Sequence, residues 1–267
     1  ILGCKKDSYG MTIAESSLVG YRKTKSKNVP IANYLTDVFK ARQTIAPYLQ
    51  PTPLRHYHGL SRLLEAQVYV KHEYHNPTGA FNVRGGINFI AKLSSEERRR
   101  GLITASSGNH GQSVAYASRL FGVRATIMLP ENANPVKVEA IRSMGAEIVF
   151  HGRDFDDAKL FAESQARQTG ARFINSGDEP LLIAGVGTYT IEIIESLPEV
   201  ETIIVPVGGG MAIGMLRRGK NDQSEAAGAA SLAAAIKLKT NLSGKNIALI
   251  MSGGNITFNQ LRELLKA

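Results

Sequence analysis

The chain of 267 residues has a single cysteine, Cys4, and no tryptophan. One thiol excludes an intrachain disulfide and a cysteine-built zinc site, and it points to a reducing, cytoplasmic setting. No stretch approaches the ~18 uninterrupted apolar residues that a membrane helix needs, which argues against a membrane protein. Without tryptophan, and with no aromatics interleaved among the basic residues, the chain lacks a stacking platform for bases, which argues against nucleic acid as a partner. Negative charge is also scarce: 23 acidic against 32 basic side chains leave a formal charge of +9. The surplus is concentrated in Lys5, Lys6, Arg22, Lys23, Lys25 and Lys27, so residues 1–30 read as a solvated basic tail. The cluster Arg98-Arg99-Arg100 follows Glu96 and Glu97 on what reads as a solvated helix. What is present is ordinary for a globular protein, 43% hydrophobic and 21% charged residues, enough to build a sizeable core.

From Ile31 onward strands and helices alternate. A helical stripe runs from Ile31 to Tyr48, and Val68 to Lys71 is a short β-rich run followed by the turn signal Asn76-Pro77-Thr78-Gly79. Ala80 to Leu93 reads as a helix, Leu102 to Ala105 as a buried strand, and His110 to Phe121 as a helix. Strands follow at Ala125 to Leu129, Glu147 to Phe150, Arg172 to Ile174, Thr202 to Val205 and Ile247 to Ile250. Helices are expected at Asn134 to Met144, Phe155 to Gln168, Ala184 to Leu197, Glu225 to Leu242 and Ile256 to Leu265. Alternation at these lengths predicts βαβ units, hence an α/β fold with open, mostly parallel twisted sheets covered by helices.

In such sheets ligands gather beyond the carboxyl ends of the strands, and three post-strand loops carry unusual chemistry. Gly208-Gly209-Gly210-Met211 offers backbone N–H groups in a concavity suited to phosphate. A flexible turn is an equally good reading of that loop alone, and the spacing of Gly208, Gly210 and Gly214 fails the dinucleotide pattern. Ser106-Ser107-Gly108-Asn109-His110-Gly111-Gln112 opens a helix with hydroxyls and free N–H groups, an anion site suited to a carboxylate. An N-cap by Ser107 or Asn109 is the plainer reading, though one residue would suffice for it. Ser252-Gly253-Gly254-Asn255 could present a hydroxyl to a ring nitrogen, or be merely a strand-to-helix turn. His72-Glu73-Tyr74-His75 is one residue short of the H-E-x-x-H zinc spacing and falls at a strand end, so no metal site is argued.

Together with the run Lys71 to Gly85, these loops resemble, in order, the four motifs of the fold type II pyridoxal-phosphate enzymes. The resemblance is nearest to the threonine/serine dehydratase (ammonia-lyase) and serine racemase branch. Val83, where sulfhydrylases and threonine synthases usually carry Asp, and His110 in the S-x-G-N-H loop both favour that branch. The resemblance implies a small domain over 101–177 inserted in a larger one over 31–100 and 178–267. Pyridoxal 5'-phosphate would bind between them, its phosphate on Gly208, Gly209, Gly210 and Met211, its ring nitrogen at Ser252, its phenolic oxygen at Asn109, and Phe81 beside the ring. A small amino-acid substrate would set its carboxylate on Ser106, Ser107, Gly108, Asn109 and His110. The implied reaction is α,β-elimination of threonine or serine to a 2-oxo acid and ammonia. In racemase-like members the serine matching Ser107 exchanges a proton on one face. A homodimer is also implied.

The sequence departs from the family twice. At the Schiff-base lysine position, after Thr78-Gly79-Ala80-Phe81, stands Asn82. An amide is not nucleophilic, so it can neither hold the cofactor covalently nor remove a proton. An introduced substitution, a modified lysine read as asparagine, and a natural pseudoenzyme that only binds cofactor or amino acid all stay open. The second departure is that only Met211 to Gln223 separate the phosphate loop from Ser224-Glu225-Ala226-Ala227. The family has several tens of residues there, so a strand and helix of the large sheet are expected to be missing near 211–223.

Overall fold

A computed structural model describes residues 31–206 and 227–255. The basic tail, Gly208 to Met211, the interval 211–223 and the helix expected at Ile256 to Leu265 lie outside the described residues.

In chain order the elements are α1 (Ile31–Ile45), β1 (Leu54–His56), α2 (His58–Leu64), β2 (Gln67–His72), a 3₁₀ turn (Glu73–His75), α3 (Asn82–Ala91), α4 (Ser95–Arg100) and β3 (Leu102–Ala105). Then come α5 (Asn109–Leu120), β4 (Ala125–Leu129), α6 (Pro135–Ser143), β5 (Glu147–Phe150), α7 (Phe155–Thr169), β6 (Arg172–Phe173) and α8 (Pro180–Ser196). The last are β7 (Thr202–Ile204), α9 (Ala227–Lys237), α10 (Lys239–Leu242) and β8 (Asn246–Met251). Local chemistry sets several boundaries. Ser94 and Glu97 form a capping box at α4, Asn134 accepts from the Val136 N–H at α6, and Asp154 accepts from the Asp157 N–H at α7. Helix α8 starts four residues before the expected Ala184, because Pro180 is pre-shaped for a first helical position. The alanine-rich helix is interrupted at Leu238 and becomes α9 and α10. Strand β1 and helix α2, of three and seven residues, are too short to show a period and were not expected.

Two four-stranded sheets result, ordered β1-β2-β8-β7 and β5-β4-β3-β6. Every pairing is parallel except β1 with β2. Alternation along the strands divides the core. On β8, Ala248 and Ile250 face the central core, while Ile247 and Leu249 face Leu64, Ala235 and Leu242 on the other side. On β4, Ile127 and Leu129 face the centre, while Met128 meets Ala158 and Ala162 of α7.

Helix α3 lies between the sheets, packed against both α5 and α8, and every residue from Asn82 to Ile90 is buried. Such close packing needs small residues. A Cβ at Gly185 of α8 would come within 2.5 Å of the Arg84 carbonyl oxygen, and one at Gly86 would strike Ser113 of α5. Strands β2, β3 and β8 all deliver their carboxyl ends around the start of this helix, where the three described motif loops begin.

Candidate active site

The segment between β2 and α3 is shaped by backbone bonds rather than by its side chains. The Gly79 N–H donates to Asn76 O at 2.8 Å, and Gly79 takes φ +65°, where a side chain would be strained and would also strike Asn255. Ala80 then bridges antiparallel to Gly253. The Phe81 N–H donates to Ser252 O at 2.9 Å, and the Gly254 N–H donates to Gly79 O at 3.0 Å. Asn255 completes the junction: its Nδ2 donates to Thr78 O at 2.8 Å and to Asn109 Oδ1 at 2.7 Å. Three motifs far apart in sequence, 78–82, 106–112 and 252–255, therefore meet at one place.

Each expected site residue within the described part can be located there. Ser252 and Asn109 are buried, and Ser106, Ser107 and Gly108 are partly exposed. The Ser106 hydroxyl accepts from the Gly108 N–H at 3.2 Å. Gly108 is the N-cap of α5 and supplies no side-chain cap, so neither Ser107 nor Asn109 caps this helix. The first-turn N–H groups thus keep their positive end toward the loop. The Phe81 ring stacks on Tyr189 with centroids 6.2 Å apart, and burial raises the Tyr189 phenol above its ordinary pKa. His110 is buried, with Nε2 3.1 Å from Thr104 Oγ1.

Asn82 opens α3 and is buried, and its carbonyl accepts from Ser113 Oγ at 2.7 Å. Lys71, on the strand that leads into this segment, is engaged elsewhere. Its Nζ lies 2.5 Å from Glu192 Oε2 and donates to Thr52 O at 2.6 Å, with the side chain 1% exposed. It is therefore no substitute for an amine at position 82.

Lys71 belongs to a buried charge network that the sequence reading missed. The Arg84 guanidinium clasps Glu73 through Nε at 2.7 Å and Nη2 at 2.9 Å, and Glu192 through Nη1 at 2.6 Å and Nη2 at 2.9 Å. Thr52, Thr188 and Asn76 satisfy remaining donors and acceptors. Burial opposes the charge on Glu192, yet hydrogen bonds from Arg84 and Lys71 outweigh it and hold the carboxyl below the usual range. The signal in the sequence was charge beside apolar residues: Lys71 follows the run Val68 to Val70, and Arg84 lies among Phe81, Val83 and Ile87. Glu73, noted in the sequence only within His72-Glu73-Tyr74-His75, is an anchor of this network. Among the described residues no group of three or more potential metal ligands is assembled, and no helix is long and apolar enough to cross a membrane.

Residues 45–225 match the family described as pyridoxal-phosphate dependent enzyme. An L-threonine ammonia-lyase of Thermotoga maritima is 42% identical over 176 residues, covering 66% of this chain and 44% of that protein. A catabolic L-threonine dehydratase of Staphylococcus aureus is 37% identical over 177 residues, covering 66% and 51%. The chain thus spans about half the length of these relatives. Among solved structures, processed threonine deaminase isoform 2 from Solanum lycopersicum superposes with a TM-score of 0.82 at 24% identity, over 95% of this chain and 98% of that one. Maize serine racemase superposes with a TM-score of 0.77 at 26% identity, over 87% and 96%.

Proposed function

The chain belongs to the pyridoxal-phosphate dependent enzymes, and on that premise we propose that its site is of the dehydratase type, directed at a small β-hydroxy amino acid such as threonine or serine. The observation that supports this most is the junction at Asn255, which joins the three described motif loops through Thr78 and Asn109. The donor set suits the cofactor's ring, with a neutral hydroxyl at Ser252, an amide at Asn109 and an aromatic face at Phe81. It does not suit covalent attachment, because position 82 carries an amide and Lys71 is held by Glu192.

When bound, pyridoxal phosphate supplies the electron sink that makes a Cα–H bond acidic. The protein's own residues bind and orient. Gly208, Gly209, Gly210 and Met211 would take the phosphate, Ser252 the ring nitrogen, and Asn109 the phenolic oxygen. Ser106, Ser107, Gly108 and the start of α5 would take the substrate carboxylate, aided by the helix dipole. Ser107 would exchange a proton on one face of the substrate if the site works as in the racemase-like members. Residues 101–177 would form the smaller domain, closing on the carboxylate and excluding water. A homodimer in a cytoplasmic setting completes the proposal.

With Asn82, the chain should bind the cofactor without a covalent bond and turn over little or no substrate. A second reading, a binding protein without catalysis, is favoured by that same residue. Mass spectrometry after incubation with pyridoxal phosphate and borohydride reduction separates the two. No adduct on the native chain is expected. Asn82→Lys should gain one adduct on the peptide carrying position 82, and should release ammonia and a 2-oxo acid from threonine or serine. An Asn82→Lys protein that is labelled at that position but inert toward both amino acids would leave the binding reading standing and sink the dehydratase.

A further inference from the structure

The His110 ring belongs to the 106–112 loop, and the chemistry proposed above gives it no step. It is buried, and its Nε2 lies 3.1 Å from Thr104 Oγ1. Thr104 lies on β3, two residues before Ser106, and its hydroxyl donates to Ile174 O at 2.9 Å. A carbonyl oxygen only accepts, and threonine has one hydroxyl proton, so that proton is committed to Ile174. The contact with His110 must then run the other way, from the imidazole N–H at Nε2 to Thr104 Oγ1. In the neutral ring this leaves Nδ1 unprotonated, and Nδ1 is buried with no hydrogen-bond partner among the described residues. Ile174 is itself fixed, its N–H donating to Ile103 O at 2.9 Å next to Thr104.

We infer that Thr104 is a positioning residue of the 106–112 loop: its one hydroxyl fixes His110 as the Nε2–H tautomer and pins the first turn of α5 to β3 and Ile174. The side chain of His110 then has no proton to offer a carboxylate. A donor from Nδ1 would require Thr104 to turn its proton to Nε2 and abandon Ile174 O. Anion recognition falls instead to the Ser106 and Ser107 hydroxyls and the N–H groups opening α5. On this inference the His110 ring gives the substrate carboxylate no hydrogen bond, and the ligand half rests on the site reading proposed above.

The test uses the full chain labelled with ¹⁵N-histidine, together with L-serine titrations in the presence of pyridoxal phosphate. Long-range ¹H–¹⁵N spectra should show one ring protonated at Nε2 and bare at Nδ1, a signal missing from His110→Gln. Thr104→Ser should keep that signal and the serine affinity. Thr104→Val should mix or invert the tautomer and weaken serine binding about tenfold, the loss expected of one neutral hydrogen bond. A wild-type ring protonated at Nδ1, or a Thr104→Val protein unchanged in both tautomer and affinity, overturns the inference. If wild type shows the expected tautomer but binds no serine, the site reading fails, and with it the claim that Thr104 serves a ligand loop.

Discussion

Replacing Arg84 with methionine tests whether the buried charge network holds α3 in place. The four charges of Lys71, Arg84, Glu73 and Glu192 sum to zero, and all four side chains are buried. Arg84→Met removes two bonds to each carboxylate, keeps much of the side-chain volume, and leaves two buried carboxylates with one ammonium. Breaking a buried pair in this way costs about 3–5 kcal/mol, because an uncompensated charge stays behind. The pH dependence should change sign. In the native protein Glu192 is held below its ordinary pKa, so its contribution is present above the unfolded value and is lost as pH falls through the folded one. In Arg84→Met a stranded carboxyl has a raised pKa, so the deficit is deepest at neutral pH and shrinks as the solution is acidified. Urea unfolding at pH 7 and pH 5.5 measures both effects. Adding Glu73→Gln to Arg84→Met should recover part of the loss, since Lys71 still pairs with Glu192 and the charge left stranded is that of Glu73. The reasoning fails if Arg84→Met lies within about 1 kcal/mol of wild type, or if the double variant loses as much as the summed singles.

Two further outcomes follow from the packing. Burial lowers the His110 pKa to about 4, so the unfolded chain binds a proton there between that value and about 6.5, and stability should climb with pH across this window by about 3 kcal/mol. His72, lowered mainly by burial, adds to the same slope. The test is therefore the difference between wild type and His110→Gln in urea midpoints from pH 4.5 to 7.5, and parallel curves would refute it. Gly86→Ala should cost about 1–3 kcal/mol by driving a methyl group into Ser113, against the gain an exposed helix would show for the same change; thermal unfolding decides the sign.

The fold was legible because its strands are short apolar runs bounded by turn residues. The spans Leu102 to Ala105, Ala125 to Leu129 and Glu147 to Phe150 agree with the sequence to the residue. Strand β1 escaped because three residues of an antiparallel edge carry no periodicity, and the break at Leu238 escaped because no glycine or proline marks it between Ser231 and Ser243. The motif loops could be located from sequence, but not the contact that unites them. Asn255 meets Asn109 across 146 positions, and no local pattern encodes such a pairing. The charge network hid for a related reason. Lys71, Glu73, Arg84 and Glu192 look like surface residues one at a time, and only the tertiary fold sets their charges against one another.

The same accounting explains how position 82 can carry an amide without loss of the fold. What fixes this residue is the backbone: the Phe81 N–H on Ser252 O, the Asn82 carbonyl under Ser113 Oγ, and Arg84 two residues on in its clasp of carboxylates. None of these bonds uses the side chain at 82. An amide there is smaller than a lysine and carries no charge to desolvate, so the native scaffold bears it without a buried cation to neutralise. The reverse change is not neutral. In Asn82→Lys without cofactor, an ammonium enters a buried position, while Glu73 and Glu192 are already engaged by Arg84 and Lys71. Its pKa must fall, which is the condition that makes such an amine nucleophilic. Covalent chemistry at position 82, where a lysine is present, and fold stability would therefore rest on different atoms of the same motif.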